Sequence, residues 1–396
     1  MKLRKILALT LTCVMLFAIA LPISASAAPV IKLYIDGVLK TPAVAPYVEK
    51  GTTFVPVRFV TENLGADVSW DGNTQRATVK SAGATIVFTI GSTSYTVNGA
   101  SRTLTAAPKL VRSGSTTSTM VPIRAIAEGM GATVDYDAKE YAAKVNYFST
   151  MTGTLKITGS TTVQPIVQAA ADKLTALNNS RISISVAGGG SGTGINDCIA
   201  GTNNLGMSSR DLTTDELSKI TPFGVAQDGI AVIVHPSNGV SNLTKAQAAD
   251  IFLGKIKNWN EVGGANAPIL VYTRETGSGT RATLEEMLLN KESVVGTATP
   301  FASSALIKQA VARERNAIGY DSIGFVDSTV KAVSLDGTAA TAASVNSGKY
   351  IMGRDLWMVF KSTNGRATGN SAKFIDYLRT EDVQKNIVEK EGYIAR

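Results

Sequence analysis

Leu155-Lys156-Ile157-Thr158-Gly159-Ser160-Thr161-Thr162 decides how the larger part of this chain folds. Leu155 and Ile157 alternate with polar residues as in a strand, Gly159 interrupts the pattern, and three hydroxyl residues lead into a helical stretch from Val163 to Leu177. Two more junctions follow the same plan. Gly188-Gly189-Gly190-Ser191-Gly192-Thr193-Gly194 follows the apolar strand Ile182 to Val186, and Arg274-Glu275-Thr276-Gly277-Ser278-Gly279-Thr280 follows Ile269 to Tyr272. With the strand Ile230 to Val234 and helices over Lys245 to Phe252, Arg281 to Leu289 and Ala372 to Leu378, the alternation predicts an α/β body.

Each junction places glycine and hydroxyl residues just ahead of a helix. A helix N-terminus offers unpaired N–H groups and partial positive charge, glycine permits close backbone approach, and Ser or Thr adds a donor. In open α/β sheets such loops gather beyond the carboxyl ends of the strands. Three of them, with the planar fork of Arg274, suit a small tetrahedral oxyanion. A single glycine-rich loop is as readily a plain connection, and the run at Gly188 lacks the G-x-G-x-x-G spacing of a dinucleotide site. The weight lies on the set.

Upstream, the chain repeats itself at an offset of 66. Val55-Pro56-Val57-Arg58 returns as Val121-Pro122-Ile123-Arg124, Gly65-Ala66 as Gly131-Ala132, Trp70-Asp71 as Tyr136-Asp137, and Ala77 and Val79 as Ala143 and Val145. A fixed period marks a structural unit. Each unit reads as a strand, a turn, a short helix and two more strands. Hairpin turns are expected at Asp36-Gly37 and Asn98-Gly99. The helix after Pro56 carries Phe59, Val60 and Leu64, its twin carries Ile126 and Met130, and Gly65 and Gly131 end them.

Met1-Lys2-Leu3-Arg4-Lys5, an apolar run from Ile6 to Leu21 and Ala25-Ser26-Ala27 have the layout of a secretory signal, with cleavage expected after Ala27. Cys13 sits inside the apolar run after Thr10-Leu11-Thr12, which does not fit a lipid-anchor signal. Cys198 is then the one cysteine of the mature chain, so no intramolecular disulfide forms. Removing Lys2, Arg4 and Lys5 lowers the formal charge from +8 to +5. This mild basicity suits an anionic wall, membrane surface or ligand. No Lys/Arg cluster with interleaved aromatics supports nucleic-acid binding. The expected plan is a signal peptide (1–27), a repeat domain (30–147), a small polar linker (148–154) and the α/β domain (155–396). No metal or cofactor is expected.

The region 30–147 resembles the copper amine oxidase N-terminal-like domain, a stalk module of exported bacterial proteins. The resemblance implies surface attachment or spacing. It carries no copper chemistry, since copper sites use imidazole or thiolate ligands and the region has neither His nor Cys.

From Leu155 onward the chain resembles the phosphate-binding receptors of ATP-driven phosphate importers, of the Gram-positive type. The resemblance rests on Gly159-Ser160-Thr161-Thr162, Gly188-Gly189-Gly190-Ser191-Gly192, Met207-Ser208-Ser209-Arg210, Ala226-Gln227-Asp228-Gly229-Ile230-Ala231, Ile251 to Ile256, Asn258-Trp259, Arg274 to Arg281, Ala317-Ile318-Gly319-Tyr320 and Glu391-Gly392-Tyr393-Ile394. It implies a two-lobed, hinged α/β fold of the type II periplasmic-binding-protein kind. It also implies capture of inorganic phosphate for the membrane permease of an ABC importer. Residues carried over as ligand-binding are Ser160, Thr161, Thr162, Ser191, Ser209, Arg210, Arg274, Ser278, Gly279 and Thr280, with the segment Ser208 to Arg210 closing the pocket. Crossings between lobes are expected near Ile230 to Val234 and Tyr350 to Val359.

One departure bears on selectivity. Some members have an acidic residue where this chain has Ser209, and that carboxylate accepts the proton of hydrogen phosphate, which sulfate lacks. Asp211 and Glu275 are the candidate replacements; a helix-start acid and a surface ion pair are the plainer readings of each. Trp259, Phe252 and Tyr320 read as packing, and His235 has no partner set for chemistry. The competing functions are a receptor for sulfate or molybdate and a structural or adhesive surface protein. A phosphate-ester hydrolase using Ser160, Ser191 or Ser278 is disfavoured, because no motif pairs a nucleophile with a base.

Overall fold

The computed structural model describes residues 30–396; the expected signal and its cleavage site lie outside them. In the repeat region the two hairpin turns form as read. Lys32–Ile35 pairs with Val38–Lys40 around Asp36-Gly37, and Ser94–Val97 with Ala100–Thr103 around Asn98-Gly99. All four turn residues have positive φ, as a tight two-residue hairpin turn demands. The short helices Val57–Asn63 and Ile123–Met130 begin directly after Pro56 and Pro122.

The structure is richer than the expected unit, because each helix lies between two hairpins and the units exchange strands. Thr52–Pro56 pairs with Thr116–Pro122 in the register Phe54↔Pro122, Val55↔Val121, Pro56↔Met120. Every one of these pairs is symmetric under the 66-residue offset, so a pseudo-twofold axis passes through Val55 and Val121. The closing hairpin of the second unit joins Lys32–Ile35 of the first in a parallel pair. Thr85–Thr89 bridges the units on the other side and has no twin among the described residues.

Residues 148–154 do not behave as a linker. Phe148–Thr150 forms a 3-10 turn, Phe148 and Met151 are buried, and the next strand, Gly153–Gly159, already begins at Gly153. The small polar residues conceal two apolar anchors, and Phe148 packs edge-on to Tyr377 at 5.1 Å between centroids. The repeat region therefore shares one hydrophobic core with the first lobe of the α/β domain.

That domain has two lobes. In the first, Ile182–Gly188, Gly153–Gly159 and Leu205–Ser208 run parallel, followed by Gly353–Phe360 in the opposite sense. In the second, Ala317–Ser322, Leu270–Arg274 and Thr299–Phe301 pack around a separate core that includes Trp259, Phe252 and Tyr320. The 14-residue strand Thr221–Val234 belongs to both: up to Gly229 it pairs with Gly353–Phe360, and from Ile230 with Ala317–Ser322. The outward crossing is thus longer than the expected Ile230 to Val234. Gly229 faces Gly353 where the sheet passes from lobe to lobe.

Candidate functional site

Four strand-to-helix junctions meet between the lobes. From the first lobe come Ser160-Thr161-Thr162 ahead of helix Gln164–Leu177, and Ser191 opening helix Ser191–Ala200. From the second come Ser278, which caps helix Gly279–Met287 by accepting from the Arg281 N–H, and Ser304, which opens helix Ser304–Arg313. Glycine is required at several of these points. Gly159 and Gly190 have φ of +137° and +89°, and a Cβ at Gly159 would lie 2.3 Å from the Met207 carbonyl oxygen.

The lobes touch directly in a closed cleft. Thr162 Oγ1 and Thr280 Oγ1 share a hydrogen bond at 3.0 Å, and the Gly192 N–H donates to the Gly277 carbonyl at 3.0 Å. Ser191 Oγ lies 3.3 Å from Ser209 Oγ and accepts from the Ser209 N–H. Arg274, only 1 % exposed, is the central charge. Its Nη2 donates to Thr161 Oγ1 across the cleft at 2.9 Å and its Nη1 to Ser304 Oγ at 3.0 Å. The Tyr320 hydroxyl holds the strand end by accepting from the Arg274 N–H, and burial pushes that phenol up to about 12, which keeps it protonated. The result is a cluster of hydroxyls and leading helix amides around the Arg274 guanidinium, which is chemistry for an oxyanion.

Of the residues expected here, Ser160, Thr161, Thr162, Ser191, Ser209, Arg274, Ser278, Gly279 and Thr280 come together. Ser160 Oγ faces its own turn and accepts from the Thr162 N–H, while Thr161, Thr162, Ser191 and Thr280 present hydroxyls at the cleft.

Three expectations are corrected. Arg210 turns away: its two terminal nitrogens grip both oxygens of Glu216 at 2.9 and 2.7 Å, a fork that fits a carboxylate two turns of chain away. Asp211 is exposed and accepts from the Trp357 indole N–H, so it is no proton acceptor for a buried ligand. Glu275 is the counter-ion of Arg274, with Oε2 on Nε and Oε1 on Nη2, both at 2.9 Å; that pairing already uses its charge.

Four buried residues escaped the sequence reading. Ser304 carries the fourth junction, and its signal was the Ser303-Ser304 pair between an apolar strand and a helix; the missing glycine hid it. Asp321 is fully buried on Ala317–Ser322. Its Oδ1 accepts from the Ser322 N–H, while Oδ2 has no hydrogen-bond partner. Desolvation raises its carboxyl to about 6 against the pull of Arg274, with the Ser304 hydroxyl and Arg354 also nearby. Asp228 and Arg354 form a buried pair at 2.7 and 2.9 Å. Arg354 Nη1 then reaches the Ser209 carbonyl at 3.0 Å and Thr280 Oγ1 at 3.1 Å. Asp228 stood inside a motif already noted, but nothing local marks Arg354.

Residues 145–382 match the PBP superfamily domain, and residues 34–145 match the copper amine oxidase N-terminal domain. The phosphate-binding protein PstS of Bacillus subtilis is 38 % identical over 249 residues, covering 61 % of this chain and 80 % of the relative. Among solved structures, a putative phosphate ABC transporter substrate-binding protein with bound phosphate from Clostridium perfringens is 37 % identical with a TM-score of 0.58. It covers 62 % of this chain and all of its own. An ABC-type phosphate transport receptor from Vibrio cholerae is 33 % identical at a TM-score of 0.53, with 61 % of this chain and all of that one covered.

Proposed function

This chain belongs to the PBP superfamily, and from that membership we propose that it captures inorganic phosphate between its lobes and delivers it to the permease of an ABC importer. The observation that carries the reading is the bridge from Arg274 to Thr161 and Ser304, beside the contact of Thr162 with Thr280. One guanidinium and hydroxyls from both lobes converge where helix N-termini meet. A ligand that touches both sides holds the lobes closed. The named relatives bind phosphate, and one of them was solved with phosphate bound.

The residues at the cleft favour a receptor over an esterase. Their hydroxyls bond to one another and to Arg274, and His235 bonds Ser237 at a strand end in the second lobe. The leader expected in the sequence supports a role outside the cytoplasm. The repeat domain, matched to the copper amine oxidase N-terminal domain, serves as the surface attachment.

The site-residue roles are part of the same proposal, and they include a new proton acceptor. With Ser209 where some members of the resembled family carry an acid, Asp321 acts through the Ser304 hydroxyl as the group that favours a protonated oxyanion. A buried carboxylate with a free oxygen welcomes hydrogen phosphate and leaves sulfate facing like charge.

Thermal unfolding at neutral pH with phosphate, arsenate, sulfate, molybdate or no anion tests the reading. Phosphate and its isostere arsenate should raise Tm, because a ligand of the native state stabilises it by mass action. The absence of a shift with every anion refutes capture, and a shift with sulfate alone refutes phosphate. Arg274→Ala should abolish the shift. Asp321→Asn should narrow the preference for phosphate over sulfate by about tenfold or more, equivalent to about 1.4 kcal/mol; an unchanged ratio removes Asp321 from the mechanism while leaving phosphate capture standing.

A further inference from the structure

The repeat region carries two surface grooves, of about 490 and about 560 Å3, in the size range of small-ligand sites. They are copies of each other. The first is built from Pro56, Arg58, Glu62 and Trp70 of one unit with Leu110 and Thr119 of the other. The second is built from Pro122, Arg124, Glu128 and Tyr136 with Val48 and Thr53. The first four members of each set correspond at the 66-residue offset, and the hairpin wall comes from the opposite unit in both, as the pseudo-twofold requires.

The two units have diverged at most surface positions, which makes the retained ones informative. Val55, Pro56, Ala77 and Val79 recur because the core needs them, and Gly65 recurs because it and its twin Gly131 hold a positive φ just after a helix. Asp71 and Asp137 recur because each accepts from the backbone of its own turn. Packing gives no such reason for Arg58 and Arg124, Glu62 and Glu128, or the aromatic pair Trp70 and Tyr136. The charged four are more than half exposed, and the rings are 40 % and 44 % exposed. An exposed Arg–Glu pair on a helix adds only about 0.3–0.5 kcal/mol to stability, and an exposed ring adds less by burial than a covered one.

The chemistry selects the occupant. In each groove the guanidinium is neutralised by its own helix neighbour, at 3.2 and 3.5 Å, so neither offers a free cation, and the second adds the Asp135 carboxylate, which accepts from the Asn146 side-chain amide. Thr116, Thr117, Ser118 and Thr119 line the first groove, and Thr52, Thr53, Thr103 and Thr105 the second. A hydroxyl-lined trough with aromatic walls and no free cation matches a pyranose ring, which has an apolar C–H face and a rim of hydroxyls. Tyr and Trp suit such half-wet contacts. An anionic polymer would meet no free cation here. We propose that the two grooves are equivalent binding sites for a neutral glycan, and that the pair gives the chain a bivalent grip on a polysaccharide meshwork. Two weak sites on one rigid body gain avidity when the polymer offers neighbouring copies.

Isothermal titration of the secreted chain, freed of its leader, with chitohexaose, cellohexaose and peptide-free wall glycan strands tests this, with decaproline as the peptide control. At least one glycan should bind with a stoichiometry of two. Trp70→Ala and Tyr136→Ala should each reduce that to one, and the double variant should abolish it. All three should keep the anion-induced Tm shift of the parent or, failing any such shift, its unliganded Tm, which shows that they fold. Binding of no glycan, binding of decaproline in their place, or full binding by the double variant overturns the proposal.

Discussion

A Cβ added at Gly279 would lie 2.3 Å from Ser191 Oγ and 2.7 Å from Ser209 Oγ, both on the opposite lobe. Gly279→Ala therefore burdens the closed cleft and leaves an open one untouched. Overpacking of this kind costs about 1–3 kcal/mol, so phosphate affinity should fall by about five- to 150-fold in calorimetric titration while the unliganded Tm stays put. An equal loss of Tm without phosphate would place the clash inside one lobe and contradict the closed geometry. At this scale the sequence spoke clearly for residues that sit in loops, because glycine and hydroxyl types there have few other uses. It misled for Arg210, Asp211 and Glu275. A charged side chain can be satisfied by whichever partner the fold supplies, here Glu216, the Trp357 indole and Arg274.

Among the elements, the strand Thr221–Val234 decides how the lobes communicate. Asp228 sits just before its crossing point and is 0 % exposed, and its partner Arg354 continues to the Ser209 carbonyl and Thr280 Oγ1. The pair thus ties the hinge to both walls of the cleft. Asp228→Ala leaves a buried guanidinium without its counter-ion and should destabilise by about 3–5 kcal/mol in urea unfolding. Adding Arg354→Met should recover part of that loss, since the unpaired charge goes with it; a double variant weaker than the single would show that the pair is not the source of the cost. Helix and strand positions were legible because periodicity is local: Lys245–Phe252 was read to the residue. The strand exchange between repeats was not, because the pairing of Lys32–Ile35 with Ala142–Asn146 spans more than 100 residues and leaves no local trace.

Taken whole, the repeat region and the first lobe share one hydrophobic core, joined at helix Gly369–Arg379. Asp376 there is fully buried. Its Oδ1 accepts from the Ala82 N–H and its Oδ2 from the Tyr147 hydroxyl, both at 2.7 Å. Desolvation raises its carboxyl to about 7, only partly offset by those hydrogen bonds. The native state therefore holds a proton that the unfolded chain, with a carboxyl near 3.9, has released. This group's contribution is full below pH about 4 and is lost as pH rises to about 7. Asp376→Asn keeps an acceptor for Ala82 and needs no proton, so its stability relative to the parent should increase from pH 5 to pH 8 in urea titrations. A constant difference would mean that Asp376 stays ionised. From the sequence alone came the α/β class, the internal duplication, the glycine- and hydroxyl-rich loops and Arg274, all carried by residue types at short spacing. Tertiary structure alone decided that Asp321 is buried beside Arg274, that Arg354 reaches both walls of the cleft and that residues 148–154 lie inside a shared core. Those outcomes depend on burial and on partners far apart in the chain, and desolvation acts on a group only once the fold has closed around it.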